Sequence, residues 1–170
     1  SDVCSSDLLR ALEIPTHPRH GLSLDALQLA LDTQPVKALL VVPTLSNPLG
    51  ASMPLPERRR LAQMAQRHGL AVIEDAIYND LAGPDELRRS VKSFDASGHV
   101  MLCHSFSKTL APGLRLGFMV ADPDLIDEAR ALRRLVYRHP PTNIQYQMAH
   151  FLAQGYYETH LRRDRKSTRL

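Results

Sequence analysis

Four short apolar runs, separated by longer stretches, constrain this chain more than any other feature. Ala38-Leu39-Leu40-Val41-Val42 carries no polar side chain, as expected of a strand buried on both faces. Leu70-Ala71-Val72-Ile73-Glu74, Val100-Met101-Leu102-Cys103 and Leu116-Gly117-Phe118-Met119-Val120-Ala121 are the other three. Between and around them lie helical patterns. Leu24 to Leu31 reads as a helix with Ser23 as its N-cap. Pro56 to Arg67 reads as a second, with Pro in its first turn and Gly69 just past its end. Asp124 to Val136 and Ile144 to Ala153 follow, and Tyr156 to Arg163 opens one more. Strands alternating with helices predict a layered α/β domain. Too few residues separate Lys108 from the fourth run for a crossover helix, so not every strand pair need be parallel. The polar stretch from Ala82 to Ser97 reads as a surface excursion.

One DNA word can account for both ends. The word gatcggaagagcacacgtctg encodes Asp164-Arg165-Lys166-Ser167-Thr168-Arg169-Leu170. Its reverse complement, read from the third base, encodes Asp2-Val3-Cys4-Ser5-Ser6-Asp7. A ligated sequencing adapter leaves that signature. Residues 1–8 and 164–170 are therefore expected to be adapter sequence, to be set aside from fold reasoning. Residues 9–163 are then expected to be an internal slice of a longer gene.

Bulk properties exclude little but exclude it cleanly. The net charge of +3 is small and its lysines and arginines are scattered, so nothing here argues for nucleic acid contact. No apolar run reaches the length of a membrane span. With Cys4 in the suspect tail, Cys103 cannot form an intramolecular disulfide, which fits a reducing cytoplasm. His17, His20, His139, His150 and His160 lack metal-ligand spacing, so no metal is assigned.

Functional groups gather just past the ends of the apolar runs. Asn47 follows the first, Asp75 and Tyr78 the second, and Ser105, Ser107 and Lys108 the third; Arg115 opens the fourth. Ligands of α/β sheets bind outside the carboxyl ends of the strands. One rim would thus receive an amide, a carboxylate, a phenol, two hydroxyls, an amine and a guanidinium. Each group also has a plainer use. Asn47 could make an Asx turn, Asp75 or Ser107 a cap, and Tyr78 core packing. Lys108 could be a solvated surface lysine, and Arg115 could pair with a surface acid.

The residues also form recognisable words. Ser105-Phe106-Ser107-Lys108-Thr109-Leu110-Ala111-Pro112-Gly113-Leu114-Arg115-Leu116-Gly117 resembles the Schiff-base lysine signature of fold-type-I enzymes dependent on pyridoxal 5'-phosphate (PLP). Ser46-Asn47-Pro48-Leu49-Gly50 resembles their Asn-Pro-x-Gly turn, and Glu74-Asp75-Ala76-Ile77-Tyr78 their Asp-x-x-Tyr segment. Order and separation match as well, over essentially all of residues 9–163. The resemblance implies a partial large domain of the class I/II aminotransferases, aspartate-aminotransferase-like, with a mixed, mostly parallel sheet and flanking helices. It implies PLP as cofactor, held as a Schiff base by Lys108, which would also move the substrate proton. Ser105 and Ser107 would offer hydroxyls to the phosphate and Arg115 a guanidinium. Asp75 would keep the pyridine nitrogen protonated, because an opposite charge favours the charged form. Asn47 and Tyr78 would hydrogen-bond the ring oxygen. The implied catalytic residues are Lys108, Asp75 and Tyr78.

A finer likeness concerns the branch. Gly155-Tyr156-Tyr157-Glu158-Thr159-His160-Leu161-Arg162-Arg163 looks like the Gly…His-Leu-Arg-Arg segment of MocR-type proteins, although Ala76 stands where that branch often has a second acid. Such proteins join a GntR-type helix-turn-helix to an aminotransferase-like domain. Two readings follow. One is a transaminase acting on an amino acid and a 2-oxo acid. The other is a sensor of PLP or an amino compound in a transcription regulator, which would meet DNA through a domain absent from this slice. Decarboxylation and β-elimination would share the same ring and lysine contacts. The resemblance further implies a homodimer when full length, and the expected location is the cytoplasm. It places the ring-stacking aromatic and a glycine-containing phosphate loop upstream, and the substrate-gripping arginine downstream. The slice alone is therefore expected to bind PLP poorly and not to turn over.

Overall fold

The computed structural model describes residues 10–83 and 85–167. The proposed adapter residues 1–8 lie outside the described residues, as do Thr168, Arg169 and Leu170. A small antiparallel pair, β1 (Thr16–His17) and β2 (Gly21–Leu22), precedes α1 (Leu24–Thr33). Then come β3 (Ala38–Val41), α2 (Leu55–His68), β4 (Ala71–Asp75), β5 (Val100–Ser105) and β6 (Gly117–Val120). Three helices follow: α3 (Pro123–Val136), α4 (Thr142–Ala153) and α5 (Tyr156–Ser167).

The helix boundaries have local causes. The Ser23 side chain accepts from the Ala26 N–H and caps α1. Gly69 ends α2 in the left-handed region, at φ 60°, where a side chain would be disfavoured. Asp122 caps α3 by accepting from the Asp124 N–H.

The main sheet runs β3-β4-β5-β6. The pairs β3–β4 and β4–β5 are parallel, while β5–β6 is antiparallel, with Ser105 opposite Gly117. That last pair follows the short connection after Lys108. Gly117 is required there, because a Cβ at that position would collide with the His104 carbonyl.

The core lies between one face of the sheet and α1 and α2. Leu24, Leu27, Leu39, Val41, Leu61, Met64, Ala65, Val72 and Val100 form one buried cluster. A second joins Phe106 to Met148 of α4 and to Tyr157 and Leu161 of α5.

Two expectations need correction. Among the described residues, the β3 run is covered on one face only: Leu39 and Val41 are buried, but Leu40 between them is 69% exposed. Its uniform apolarity cannot report which face a helix covers. The stretch from Ala82 to Ser97 is not simply a surface excursion. Val91 within it is fully buried, and the backbone N–H groups of Val91 and Lys92 donate to the buried Glu74 carboxylate at 2.8 and 2.9 Å.

Candidate functional site

The topology puts Asp75, Ser105 and Arg115 on one rim of the sheet, with Asn47, Tyr78, Ser107 and Lys108 in the loops that leave it. Asp75 and Ser105 are the last residues of the parallel strands β4 and β5. Because β6 runs the other way, Arg115, just before it, returns to the same rim. Asn47 lies beyond β3, Tyr78 beyond β4, and Ser107 and Lys108 beyond β5. Neighbouring strands sit about 4.8 Å apart, so the four strand ends span about 14 Å, with the end of β3 and the start of β6 on opposite sides.

The local geometry of each group is defined. Ser105 Oγ and Ser107 Oγ are 3.0 Å apart, and the Ser107 N–H donates to Ser105 Oγ at 3.2 Å. Whichever hydroxyl donates within that pair, one hydroxyl proton remains to be offered outward. Lys108 is exposed at the tip of a turn closed by the Leu110 N–H donating to the Phe106 carbonyl at 2.9 Å. Arg115 is exposed and holds a left-handed backbone, φ 48°, after the 3-10 turn Pro112–Leu114. Such a conformation is costly for a non-glycine residue, by roughly 1 kcal/mol. The Phe106 N–H, donating to Leu116 O at 3.1 Å, ties the adjoining backbone to β5.

Asp75 is half-buried, and its Oδ1 accepts from the Ile77 N–H at 3.1 Å, which orients the carboxylate. Burial, and then the charge of Asp75, push the neighbouring Cys103 thiol up from its ordinary value. Tyr78 is half-buried, in the bridge region of backbone space at φ −104° and ψ −1°. Asn47 is exposed, in a turn closed by the Gly50 N–H donating to Ser46 O and the Ser46 N–H donating to Ala51 O. The Asn47–Pro48 peptide bond is cis.

Two buried polar networks behind the rim were not anticipated. In the first, the fully buried Arg58 of α2 donates to Met53 O at 2.8 Å and to Pro43 O at 3.0 Å. It also donates to Thr44 Oγ1 at 3.0 Å and to Arg89 O at 2.5 Å. It thereby ties down both ends of the loop carrying Asn47. Burial lowers the Arg58 pKa against the pull of Glu74. Burial raises the Glu74 pKa against the Lys92 and Val91 N–H groups and Arg58. A signal was present: Arg58, Leu61, Ala62 and Ala65 share the i, i+3, i+4, i+7 spacing of a buried helix face.

In the second network, Asp80 receives the Tyr157 hydroxyl at 2.6 Å and lies 3.1 Å from His104 Nε2. Burial alone would raise the Asp80 carboxyl, but the His104 and Tyr157 contacts hold it below its ordinary value. His104 and Tyr157 also line a cavity of about 510 Å³ with Phe106, Phe118, Met148 and Leu152. Nothing in the spacing of these residues along the chain marks them as neighbours. Among the described residues, no group of three or more His, Cys, Asp or Glu side chains could hold a metal ion. No helix of the described residues is long and apolar enough to cross a membrane.

The residues present fit a phosphorylated aldehyde cofactor. The rim offers an exposed amine, a paired-serine donor, a guanidinium and an oriented carboxylate, the donor set that such a group requires.

Comparison with known proteins bears on this fit. The family described as Aminotransferase class I and II matches residues 6–167. The HTH-type transcriptional regulator YjiR of Escherichia coli is 39% identical over 158 residues, 93% of this chain and 33% of YjiR. The multiple substrate aminotransferase of Thermococcus profundus superposes with a TM-score of 0.82 at 28% identity, over 89% of this chain and 39% of that one. LysN, the alpha-aminoadipate aminotransferase of Thermus thermophilus, was solved with N-(5'-phosphopyridoxyl)-L-leucine. It superposes with a TM-score of 0.79 at 33% identity, over 92% of this chain and 41% of LysN. The chain thus spans about a third of the regulator's length and about two fifths of each enzyme's.

Proposed function

Because the chain belongs to the class I and II aminotransferases, we propose that it is part of the cofactor-binding core of a PLP-dependent transaminase, acting on an amino acid and a 2-oxo acid. One observation supports this most: the antiparallel return of β6 puts Arg115 on the same rim as Ser105, Ser107 and Lys108. When bound, PLP supplies an electron sink for carbanion chemistry at the substrate α-carbon. Lys108 Nζ would hold the cofactor aldehyde and would be the group that moves the substrate proton. The serine pair and Arg115 would hold the phosphate, the guanidinium adding charge-assisted bonds. The Asp75 carboxylate favours a proton on the ring nitrogen, since an opposite charge stabilises the charged form. Asn47 and Tyr78 would hydrogen-bond the ring oxygen.

The test is to incubate the protein that carries this segment with PLP, reduce with borohydride and map the modified peptide. Labelling at Lys108, abolished in Lys108→Ala, is expected. Labelling at another lysine would sink the assignment.

The identity to YjiR favours a second reading, in which the same site serves as the amino-compound sensor of a MocR/GntR-type regulator. Amino acid-dependent DNA binding by the protein carrying this segment would select it over a free-standing transaminase. We also propose that residues 1–8 and 164–170 derive from adapter and that 9–163 is a partial large domain. Long-read sequencing of the source DNA tests this.

A further inference from the structure

We propose that Tyr157 and His160, both on α5, are positioning residues that clamp Thr109 and so fix the turn presenting Lys108. The inference deepens, and rests on, the reading of Lys108 as the cofactor lysine.

Thr109 follows Lys108 directly and is buried, whereas Lys108 is exposed. The turn therefore has an outer residue that reaches solvent and an inner residue that is held. Helix α5 contacts it at two atoms. The Tyr157 hydroxyl lies 3.1 Å from Thr109 Oγ1. His160 Nε2 lies 2.8 Å from the Thr109 carbonyl. A carbonyl can only accept, so His160 Nε2 carries a proton and donates it. Residues 157 and 160 are three apart and so share one face of the helix.

The clamp is itself anchored. The Tyr157 hydroxyl is also 2.6 Å from Asp80 Oδ2, and Asp80 stands two residues beyond Tyr78. The Tyr157 ring packs edge-on against Phe106, with centroids 5.7 Å apart and planes at 89°. Phe106 begins the turn whose Leu110 N–H closes on the Phe106 carbonyl. Burial and the Asp80 carboxylate raise the Tyr157 pKa, so the phenol keeps its proton and the contact is neutral donor to anionic acceptor. One helix thus joins the lysine turn to the segment that supplies Asp75 and Tyr78. An amine on a loose turn would spread over many orientations, and positional precision is what such a shell provides.

Two variants isolate the contacts. Tyr157→Phe removes the hydroxyl and keeps the ring against Phe106. His160→Leu removes the donor, and His160→Gln supplies an amide N–H in its place. Two readouts are taken on the protein that carries this segment. The first is hydrogen exchange of the Leu110 amide without cofactor, which reports opening of the turn. The second is the rate of borohydride-trapped labelling of Lys108 by PLP.

Tyr157→Phe and His160→Leu should each speed Leu110 exchange by about tenfold, the scale of one lost hydrogen bond. Each should also slow labelling of Lys108, and His160→Gln should restore both rates toward wild type. Unchanged Leu110 exchange in both variants overturns the clamp. So does faster exchange spread equally over α2 and β4, or a His160→Gln variant as impaired as His160→Leu. If exchange responds as expected but PLP never labels Lys108 in the wild type, the clamp stands and the cofactor reading falls.

Discussion

Replacing Arg58 with methionine should destabilise the fold by about 3–5 kcal/mol, the range for breaking a buried charged network by removing one partner. Methionine fills a similar volume, so the loss falls on polar groups rather than on a cavity. Arg58 is fully buried and satisfies three carbonyls and one hydroxyl, on Pro43, Met53, Arg89 and Thr44. The bonds to Met53 O, Pro43 O and Thr44 Oγ1 are buried, so water cannot replace Arg58 there without opening the core. Each stranded group costs roughly 1–3 kcal/mol, and the costs do not add because the loop relaxes. Glu74, also fully buried, would keep its two backbone donors but lose the nearby positive charge. At roughly 2–4 °C per kcal/mol for a chain of this size, the melting temperature should fall by about 6–20 °C. Urea unfolding at neutral pH provides the assay, with Arg58→Met, Glu74→Gln and the double variant forming a cycle. The cost should shrink when Glu74 is already neutral. A loss below about 1 kcal/mol for Arg58→Met, or strict additivity in the cycle, would refute this account of the network.

Two further predictions concern the strand pair and acid stability. Gly117→Ala would drive a methyl group into the His104 carbonyl of the neighbouring strand, where backbone cannot yield cheaply. It should cost roughly 1–3 kcal/mol, as overpacking does, and an unchanged melting temperature would exclude the close approach. Asp95 is one acid-sensitive point. Burial alone would raise its carboxyl, but Lys92, the Val100 N–H, and the Ser97 N–H and hydroxyl hold it well below the usual range. Because its folded pKa is depressed, its stabilisation is complete above the unfolded value of about 3.9 and is lost as pH falls through and below that value. Stability of the wild type should therefore fall more steeply than that of Asp95→Asn between about pH 5 and pH 2.5. Identical slopes would remove Asp95 from the explanation.

The strands and helices were legible because their patterns are local. Ser23 and Gly69 announce helix ends through side-chain and backbone preferences that need no tertiary context. The rim was legible because strand ends, once ordered, put Asp75 and Ser105 at the same end of neighbouring strands, with Asp75 opposite Cys103. What the sequence hid is what depends on partners far along the chain. Val91 looked exposed because its neighbours are polar, yet its N–H meets a carboxylate seventeen positions earlier. Leu40 looked buried because its neighbours are apolar, yet it faces away from α1 and α2. Tyr157 and Asp80 are 77 positions apart, and no periodicity relates them.

The antiparallel step between β5 and β6 ties these observations to chemistry. Residues 106–116 are too few for the crossover helix that a parallel pair would need. The chain must therefore turn at the rim and come straight back. Had β6 been parallel, Arg115 would stand at the opposite end of strands four to six residues long, about 13–20 Å from Ser105. A guanidinium that far away could not share an anion with the serine pair. The return also forces close contact between Gly117 and His104, which only glycine permits. It leaves one tight turn to carry Lys108, backed by α5 through Thr109. The length of that one connection thus sets which strand direction is possible, which residue must be glycine, and which cation can reach the rim.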